Sequence, residues 1–200
     1  MLTAIGKLIA LGVSTAVVAP AIVAAAVIDD RLAYRLCRHW AWFNLVAFGI
    51  KVRSRRMAPL DPHQPYVFMS NHRSHLDVLA VMDALDDFEL RWVAKKELTE
   101  VPVFGWALRH AGHIIVDRSD TAKAVASLRA ARAQMARGVS VIIFPEGTRA
   151  GSDEHLGPLK KGGFMLALEM DTPIVPIAVR GTCALLPRDT WQIRSGTVEV

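Results

Sequence analysis

Tyr66-Val67-Phe68-Met69 runs directly into Ser70-Asn71-His72-Arg73-Ser74-His75-Leu76-Asp77. Four apolar residues of β-branched and aromatic type read as a short buried strand. A polar stretch interrupts them, and residues 76–85 then return apolar side chains at helical spacing. Strand, short polar loop and helix make up half of a βαβ unit, and the pattern recurs down the chain. Residues 91–94 (RWVA) and 113–116 (HIIV) read as strands. Residues 121–137 read as an Ala- and Arg-rich helix closed by Gly138. Residues 141–144 (VIIF) form a further strand, the stretch near 163–170 a helix and 173–177 another strand, while a strand begun at Thr197 is under way where the chain stops. The expected fold class is α/β, with a mixed, mostly parallel central sheet flanked by helices over residues 51–200. No internal repeat or low-complexity linker divides it.

Toward the N-terminus the pattern changes. Residues 8–28 carry no charge, and about 20 such residues suffice to span a bilayer. Only Lys7 precedes the run, whereas Arg31, Arg35, Arg38, Lys51, Arg53, Arg55 and Arg56 follow it, which would leave the rest of the chain on the cytoplasmic side. A cleaved signal peptide fits poorly, because the run is too long and its flank is charged. Pro20 in mid-run keeps a re-entrant or interfacial element open beside a span. Residues 32–50 mix Arg35, Arg38 and His39 with Trp40, Trp42 and Phe43, a composition suited to the headgroup region or to an amphipathic core helix. The expected division is residues 1–50 as membrane-embedding or interfacial helices and 51–200 as the α/β domain.

Composition narrows the partners. The hydrophobic fraction is 52% and the net charge +5. Basic chains suit nucleic acid, anionic lipid or phosphorylated substrates, but no RNA-binding aromatic motif or basic arm is present, so no nucleic-acid partner is expected. Cys37 and Cys183 form no CxxC pair, which argues against a disulfide framework or a Cys-based zinc site.

Two polar clusters each follow a strand, the rim at which α/β sheets gather their active sites. In the first, Ser70 or Asn71 could cap the helix, His72 could act as a general base, and Asp77 could reach back to orient it. Ser74 lacks the GxSxG elbow of a serine hydrolase. His72, His75 and Asp77, with His110 or His113, could alternatively ligate a metal, though their spacing is not HExxH. The second cluster is Phe144-Pro145-Glu146-Gly147-Thr148-Arg149: the glycine allows close approach to the backbone, and the Arg149 guanidinium suits phosphate. Lys95-Lys96, Asp117-Arg118 and Lys160-Lys161 add charge at further element ends. A base–carboxylate pair ringed by cations describes a site that activates a hydroxyl beside a phosphate. A membrane-binding module without activity would need only the basic surface and the helices.

Asn71, His72 and Asp77 match an NHxxxxD motif; Gly112 through Arg118 match a block ending in Asp-Arg; residues 144–149 match FPEGTR without change; Ile174-Val175-Pro176-Ile177 match an apolar, proline-bearing fourth block. With AKKEL at 94–98 and VPVFG at 101–105, these residues resemble the glycerolipid acyltransferase family, the PlsC-like 1-acyl-sn-glycerol-3-phosphate acyltransferases, over roughly residues 50–200. The resemblance implies that His72 deprotonates the acceptor hydroxyl, that Asp77 orients His72, and that Lys95, Arg118, Glu146, Gly147, Thr148 and Arg149 form the substrate-binding set. It implies direct attack on the thioester of acyl-CoA or acyl-carrier protein by the sn-2 hydroxyl of lysophosphatidic acid, giving phosphatidic acid, at the cytoplasmic face of the inner membrane and without cofactor or metal. Glycerol-3-phosphate and lyso-ornithine-lipid acyltransferases share the motifs and remain alternatives. Family domains usually continue past a strand like that at Thr197, so the resemblance also implies that the last part of the sheet is missing.

Overall fold

The structure, a computed structural model, describes residues 3–117, 121–150 and 155–200. Two helices lead, α1 (Ala4–Ile28) and α2 (Asp30–Phe48), followed by β1 (Ile50–Arg53), β2 (Val67–Ser70), α3 (Leu76–Ala84) and β3 (Leu90–Lys95). A 3-10 turn (Lys96–Glu100) leads to α4 (Phe104–His110), β4 (Ile114–Val116), α5 (Thr121–Met135), β5 (Ser140–Ile143), α6 (Gly162–Glu169), β6 (Ile174–Ile177), α7 (Thr182–Leu185) and β7 (Gly196–Glu199).

Five strands form one sheet in the order β4-β3-β5-β2-β6, and every pairing between them is parallel. The α/β expectation holds. Parallel strands need covering on both faces, and the period-2 alternation of side chains supplies both. Phe68, Leu90, Trp92 and Ile142 pack toward α2 and α3 with Phe48, Leu76 and Leu79. Val67, Met69, Val141 and Ile114 pack on the other side with Ala131 and Met135 of α5 and Leu166 of α6. β2 and β5 are neighbours in register Val67↔Val141, so the polar loops that leave their carboxyl ends emerge side by side.

The structure departs from the sequence reading in several places. The last strand does not join the large sheet: β7 pairs in parallel with β1 in a separate two-stranded sheet, Ile50 opposite Gly196. Residues 104–110 form a helix to which the sequence reading assigned no element; Gly105 lies so close to the 3-10 turn that a Cβ there would come within 2.3 Å of the Thr99 carbonyl oxygen. Neither Ser70 nor Asn71 caps α3, whose N-cap position is His75 with no side-chain cap bond.

α1 is long and apolar enough to cross a membrane by length and composition, and α2 turns back along it after Asp29 alone. The Ser14 hydroxyl donates to Asn44 Oδ1 at 3.1 Å between the two helices. α1 is also fastened to the rest of the chain along its length. Near its start, the buried Lys7 ammonium donates to the Ile193 carbonyl at 3.1 Å and to the Ser195 hydroxyl at 2.8 Å. Further along, Ala19, Ile22 and Ala25 pack with Ala107 and Ala111. At the tip of the hairpin, Arg137 pairs with Asp30 at 2.9 Å.

Candidate active site

His72 sits in the loop between β2 and α3. Its Nδ1 lies 2.8 Å from Asp77 Oδ2, and Asp77 is fully buried while the imidazole keeps an exposed edge. The same carboxylate oxygen accepts the main-chain N–H of Arg73 at 2.6 Å and of Ser74 at 2.9 Å. Asp77, in the first turn of α3, therefore serves the loop amides ahead of its own helix and the imidazole together. With Nδ1–H donated to the carboxylate, Nε2 is left as the acceptor. The ring lies flat on Phe144 of the neighbouring loop, centroids 3.9 Å apart at 10°.

The two loops are tied together by a buried ion pair. Arg73 Nη1 donates to Glu146 Oε1 at 2.7 Å and to Oε2 at 3.0 Å, and Arg73 Nη2 donates to the His155 carbonyl at 2.9 Å. Glu146 Oε1 also accepts the main-chain N–H of His72 at 2.9 Å, and Oε2 that of Gly157 at 2.8 Å. Burial pushes the Glu146 carboxyl upward, but the Gly157 and His72 amides and the Arg73 guanidinium outweigh it and leave its pKa below the ordinary value. Gly147 then adopts a positive φ of 70°, a conformation glycine takes without strain, and its N–H closes a turn on the Phe144 carbonyl at 3.0 Å. The Ala150 N–H donates to the His72 carbonyl at 2.9 Å, which draws Arg149 to the same place.

A cavity of about 380 Å³ opens at this point. His72, His75, Lys95, Gly147, Thr148, Arg149 and Arg188 line its polar end. Val18, Ala19 and Ile22 of α1, Met82 of α3, and Phe104, Ala107 and Leu108 of α4 line the rest, which is apolar. His75 is held to a pKa of about 4 by burial first, then by Arg149 and His72, with Asp77 opposing. His113, deeper in the wall, takes the Trp92 N–H on Nδ1 at 3.3 Å; burial, aided by Arg91, lowers its pKa to about 3.

Of the residues singled out from sequence, His72, Lys95, Gly147, Thr148 and Arg149 share the cavity, with Asp77 directly behind His72. Glu146 lies behind the lining, fully engaged with Arg73 and two amides. Arg118 lies outside the described residues, and its neighbour Asp117 pairs with Lys96 at 3.3 Å. Lys160 and Lys161 do not line the cavity. Ser74 is buried, its hydroxyl donating to the Leu186 carbonyl at 2.8 Å. Asn71 braces the loop through a reciprocal pair, Nδ2 to the Val179 carbonyl at 2.8 Å and the Val179 N–H to Oδ1 at 2.7 Å. Among the described residues, no three His, Cys, Asp or Glu side chains converge as a metal-binding group. Sequence reasoning missed Arg188, which lies in no recognisable motif and reaches the site only through the fold.

The family model described as Acyltransferase matches residues 50–180. The chain belongs to this acyltransferase family. It is 39% identical over 133 residues to 1-acyl-sn-glycerol-3-phosphate acyltransferase alpha of Mus musculus, covering 66% of this chain and 46% of that protein. It is 31% identical over 173 residues to a 1-acyl-sn-glycerol-3-phosphate acyltransferase of Chlamydomonas reinhardtii, covering 83% and 51%, and 36% identical over 123 residues to a chloroplastic one of Brassica napus, covering 62% and 35%. The chain thus spans about half or less of the length of these curated relatives. The crystal structure of the 1-acyl-sn-glycerophosphate (LPA) acyltransferase PlsC from Thermotoga maritima has the same fold, with a TM-score of 0.75 at 20% identity over 98% of this chain and 83% of that one.

Proposed function

We propose that this acyltransferase moves a fatty acyl group from a thioester, acyl-CoA or acyl-carrier protein, to the free sn-2 hydroxyl of 1-acyl-glycerol-3-phosphate and so makes phosphatidic acid. The observation that carries the reading is a single cavity in which an oriented imidazole, the cations of Lys95 and Arg149, and a long apolar lining meet. Each part has a separate use. His72 Nε2 takes the proton of the acceptor hydroxyl as its oxygen attacks the thioester carbonyl. The tetrahedral adduct collapses, the C–S bond breaks, and the imidazolium returns its proton to the leaving thiolate, so no acyl-enzyme forms. Asp77 holds the tautomer that leaves Nε2 free and stabilises the imidazolium during the step. The cations hold the acceptor phosphate, a role also proposed for Arg118. The apolar lining between α1, α3 and α4 takes an acyl chain out of water.

The α1–α2 hairpin seats the domain on the membrane from which the lysolipid comes. α1 carries the apolar surface, and the basic residues that follow it favour the cytoplasmic leaflet. The relatives are named as 1-acyl-sn-glycerol-3-phosphate acyltransferases, which agrees with the acceptor proposed here. The test is an assay of purified protein in detergent with lysophosphatidic acid, glycerol 3-phosphate and a lyso-ornithine lipid as acceptors, each with acyl-CoA and acyl-carrier protein. Transfer to lysophosphatidic acid above the others is expected; transfer to none of them sinks the proposal.

A further inference from the structure

Arg188 follows Pro187 in the loop after α7 and stands beside Arg149 at the polar end of the cavity. The two side chains cross. Arg149 Nη1 donates to the Arg188 carbonyl at 3.3 Å, and Arg188 Nη1 donates to the Arg149 carbonyl at 3.2 Å. Both backbones are anchored to the loop that carries His72. The Ala150 N–H bonds the His72 carbonyl one residue after Arg149, and the buried Ser74 hydroxyl bonds the Leu186 carbonyl two residues before Arg188. The clasp is therefore referenced to the catalytic base on both sides.

Neither guanidinium forms an ion pair with a carboxylate among the described residues, although Asp189 is adjacent in sequence. Each guanidinium lies against the other residue's main chain, so two positive charges are carried on one short stretch of the cavity rim, where a multiply charged anion is attracted by both. Each guanidinium has used one Nη1 bond on a carbonyl and keeps further N–H groups for a ligand.

We propose that Arg149 and Arg188 form a two-guanidinium clamp for a phosphomonoester, and that Arg188 is the residue that separates phosphomonoester acceptors from phosphodiester lysolipids. The proposal rests on the reading of this cavity as a lysolipid acyltransfer site. A monoester offers three terminal oxygens and a charge near −2 at neutral pH. A diester offers two terminal oxygens, one charge, and a substituent where the third oxygen would be. One planar fork engages two oxygens, so on a monoester a second fork can take the third oxygen and share one of the others, whereas on a diester the first fork already engages both. Lysine, a point charge without the fork, would supply attraction but not this discrimination.

The experiment compares wild type with Arg188→Ala and Arg188→Lys, using 1-acyl-glycerol-3-phosphate and 1-acyl-glycerophosphocholine as acceptors and acyl-CoA as donor. Arg188 is exposed, and melting temperatures check that both variants fold. Arg188→Ala is expected to raise KM for the monoester by about tenfold or more, the loss of a charge-assisted contact. The KM for acyl-CoA stays unchanged and the monoester-over-diester ratio of kcat/KM falls in step. Arg188→Lys recovers part of the affinity and little of the ratio. An unchanged monoester KM in Arg188→Ala overturns the clamp, and so does a fall in kcat with both KM values intact, which would make Arg188 a loop support. A parallel calorimetric titration with glycerol 3-phosphate and glycerophosphocholine reads the clamp without turnover. Arg188-dependent binding of glycerol 3-phosphate by a protein that transfers no acyl group keeps the clamp and removes the acyltransferase reading. Transfer that is indifferent to Arg188 does the reverse, and failure of wild type to prefer glycerol 3-phosphate overturns the clamp outright.

Discussion

The Glu146 carboxylate accepts the main-chain N–H of His72 at 2.9 Å while its other oxygen holds Gly157, with the Arg73 guanidinium across both. The glutamate of FPEGTR thus supports the loop that carries His72, the proposed base, and is not itself among the residues that line the cavity. Both partners of the ion pair are almost fully buried, so removing one strands a charge, at a cost of about 3–5 kcal/mol. Glu146→Ala is expected to lower the melting temperature sharply and to abolish transfer. Glu146→Gln keeps an oxygen for the His72 amide and is expected to lower kcat with little change in the acceptor KM. A Glu146→Gln enzyme with a raised acceptor KM and an intact kcat would put Glu146 in contact with the headgroup.

His72→Ala removes the proposed base and is expected to cut kcat by roughly 10²–10⁴-fold with the fold preserved. Asp77→Asn should cost activity through the His72 tautomer, and the kcat loss should exceed any change in KM. Because Asp77 also receives the Arg73 and Ser74 amides, Asp77→Asn is expected to lower thermal stability more than His72→Ala does. Stopped-flow turnover beside circular-dichroism melting separates the two effects. An active His72→Ala enzyme removes the proposed mechanism.

The sequence carried the sheet because buried parallel strands are short apolar runs, and 66–69, 91–94, 113–116 and 141–144 all have that form. It carried His72 and Asp77 because five residues separate them across a loop and the first turn of a helix, a local relationship. Long-range relationships were not legible. Nothing in the composition of 196–199 says that this strand pairs with Ile50–Arg53 across almost the whole chain. Glu146 read as pocket lining because its partner Arg73 comes from another loop, and Arg188 was silent because its meaning depends on Arg149, 39 residues away. Helix α4 was hidden by Val101-Pro102-Val103, a turn-like start, although Gly105 is the residue that allows its close approach to Thr99.

The two depressed histidines make stability pH-dependent. In the folded chain His75 titrates at about 4 and His113 at about 3, against 6.5 when unfolded. Between these values the unfolded chain binds protons that the folded one refuses, so stability is complete above pH 6.5 and falls as the pH drops toward 4 and then 3. A fully titrating site changes stability by at most about 1.4 kcal/mol per pH unit. His75 is exposed enough for solvent to reduce its share, so His113 dominates. Urea midpoints are expected to fall between pH 7 and pH 5, with a shallower fall in His113→Gln. Equal slopes for the two proteins would show that His113 titrates normally in the fold.

α1 displays Ile5, Ile9, Val13 and Val17 at intervals of four, each more than half exposed, while Ala19, Ile22 and Ala25 face inward. A four-residue interval keeps side chains on one stripe of a helix. Trp42, Phe43 and Val46 of α2 and Trp106 of α4 are exposed as well, and aromatic side chains favour the membrane interface. Because α1 is bound to the domain near its start by Lys7 and further along by Ala107 and Ala111, the stripe can enter a bilayer only with the domain resting on the surface. Burying an apolar side chain of this size contributes about 1.5–3 kcal/mol. Ile9→Glu with Val13→Glu is therefore expected to reduce partitioning onto phosphatidylglycerol-containing vesicles by well over tenfold. The effect should persist at high salt, which screens the basic residues but not the apolar contact. Activity on detergent-dispersed lysolipid should survive, since neither side chain lines the cavity. Vesicle binding that is unaltered by the double substitution would detach membrane association from α1 altogether.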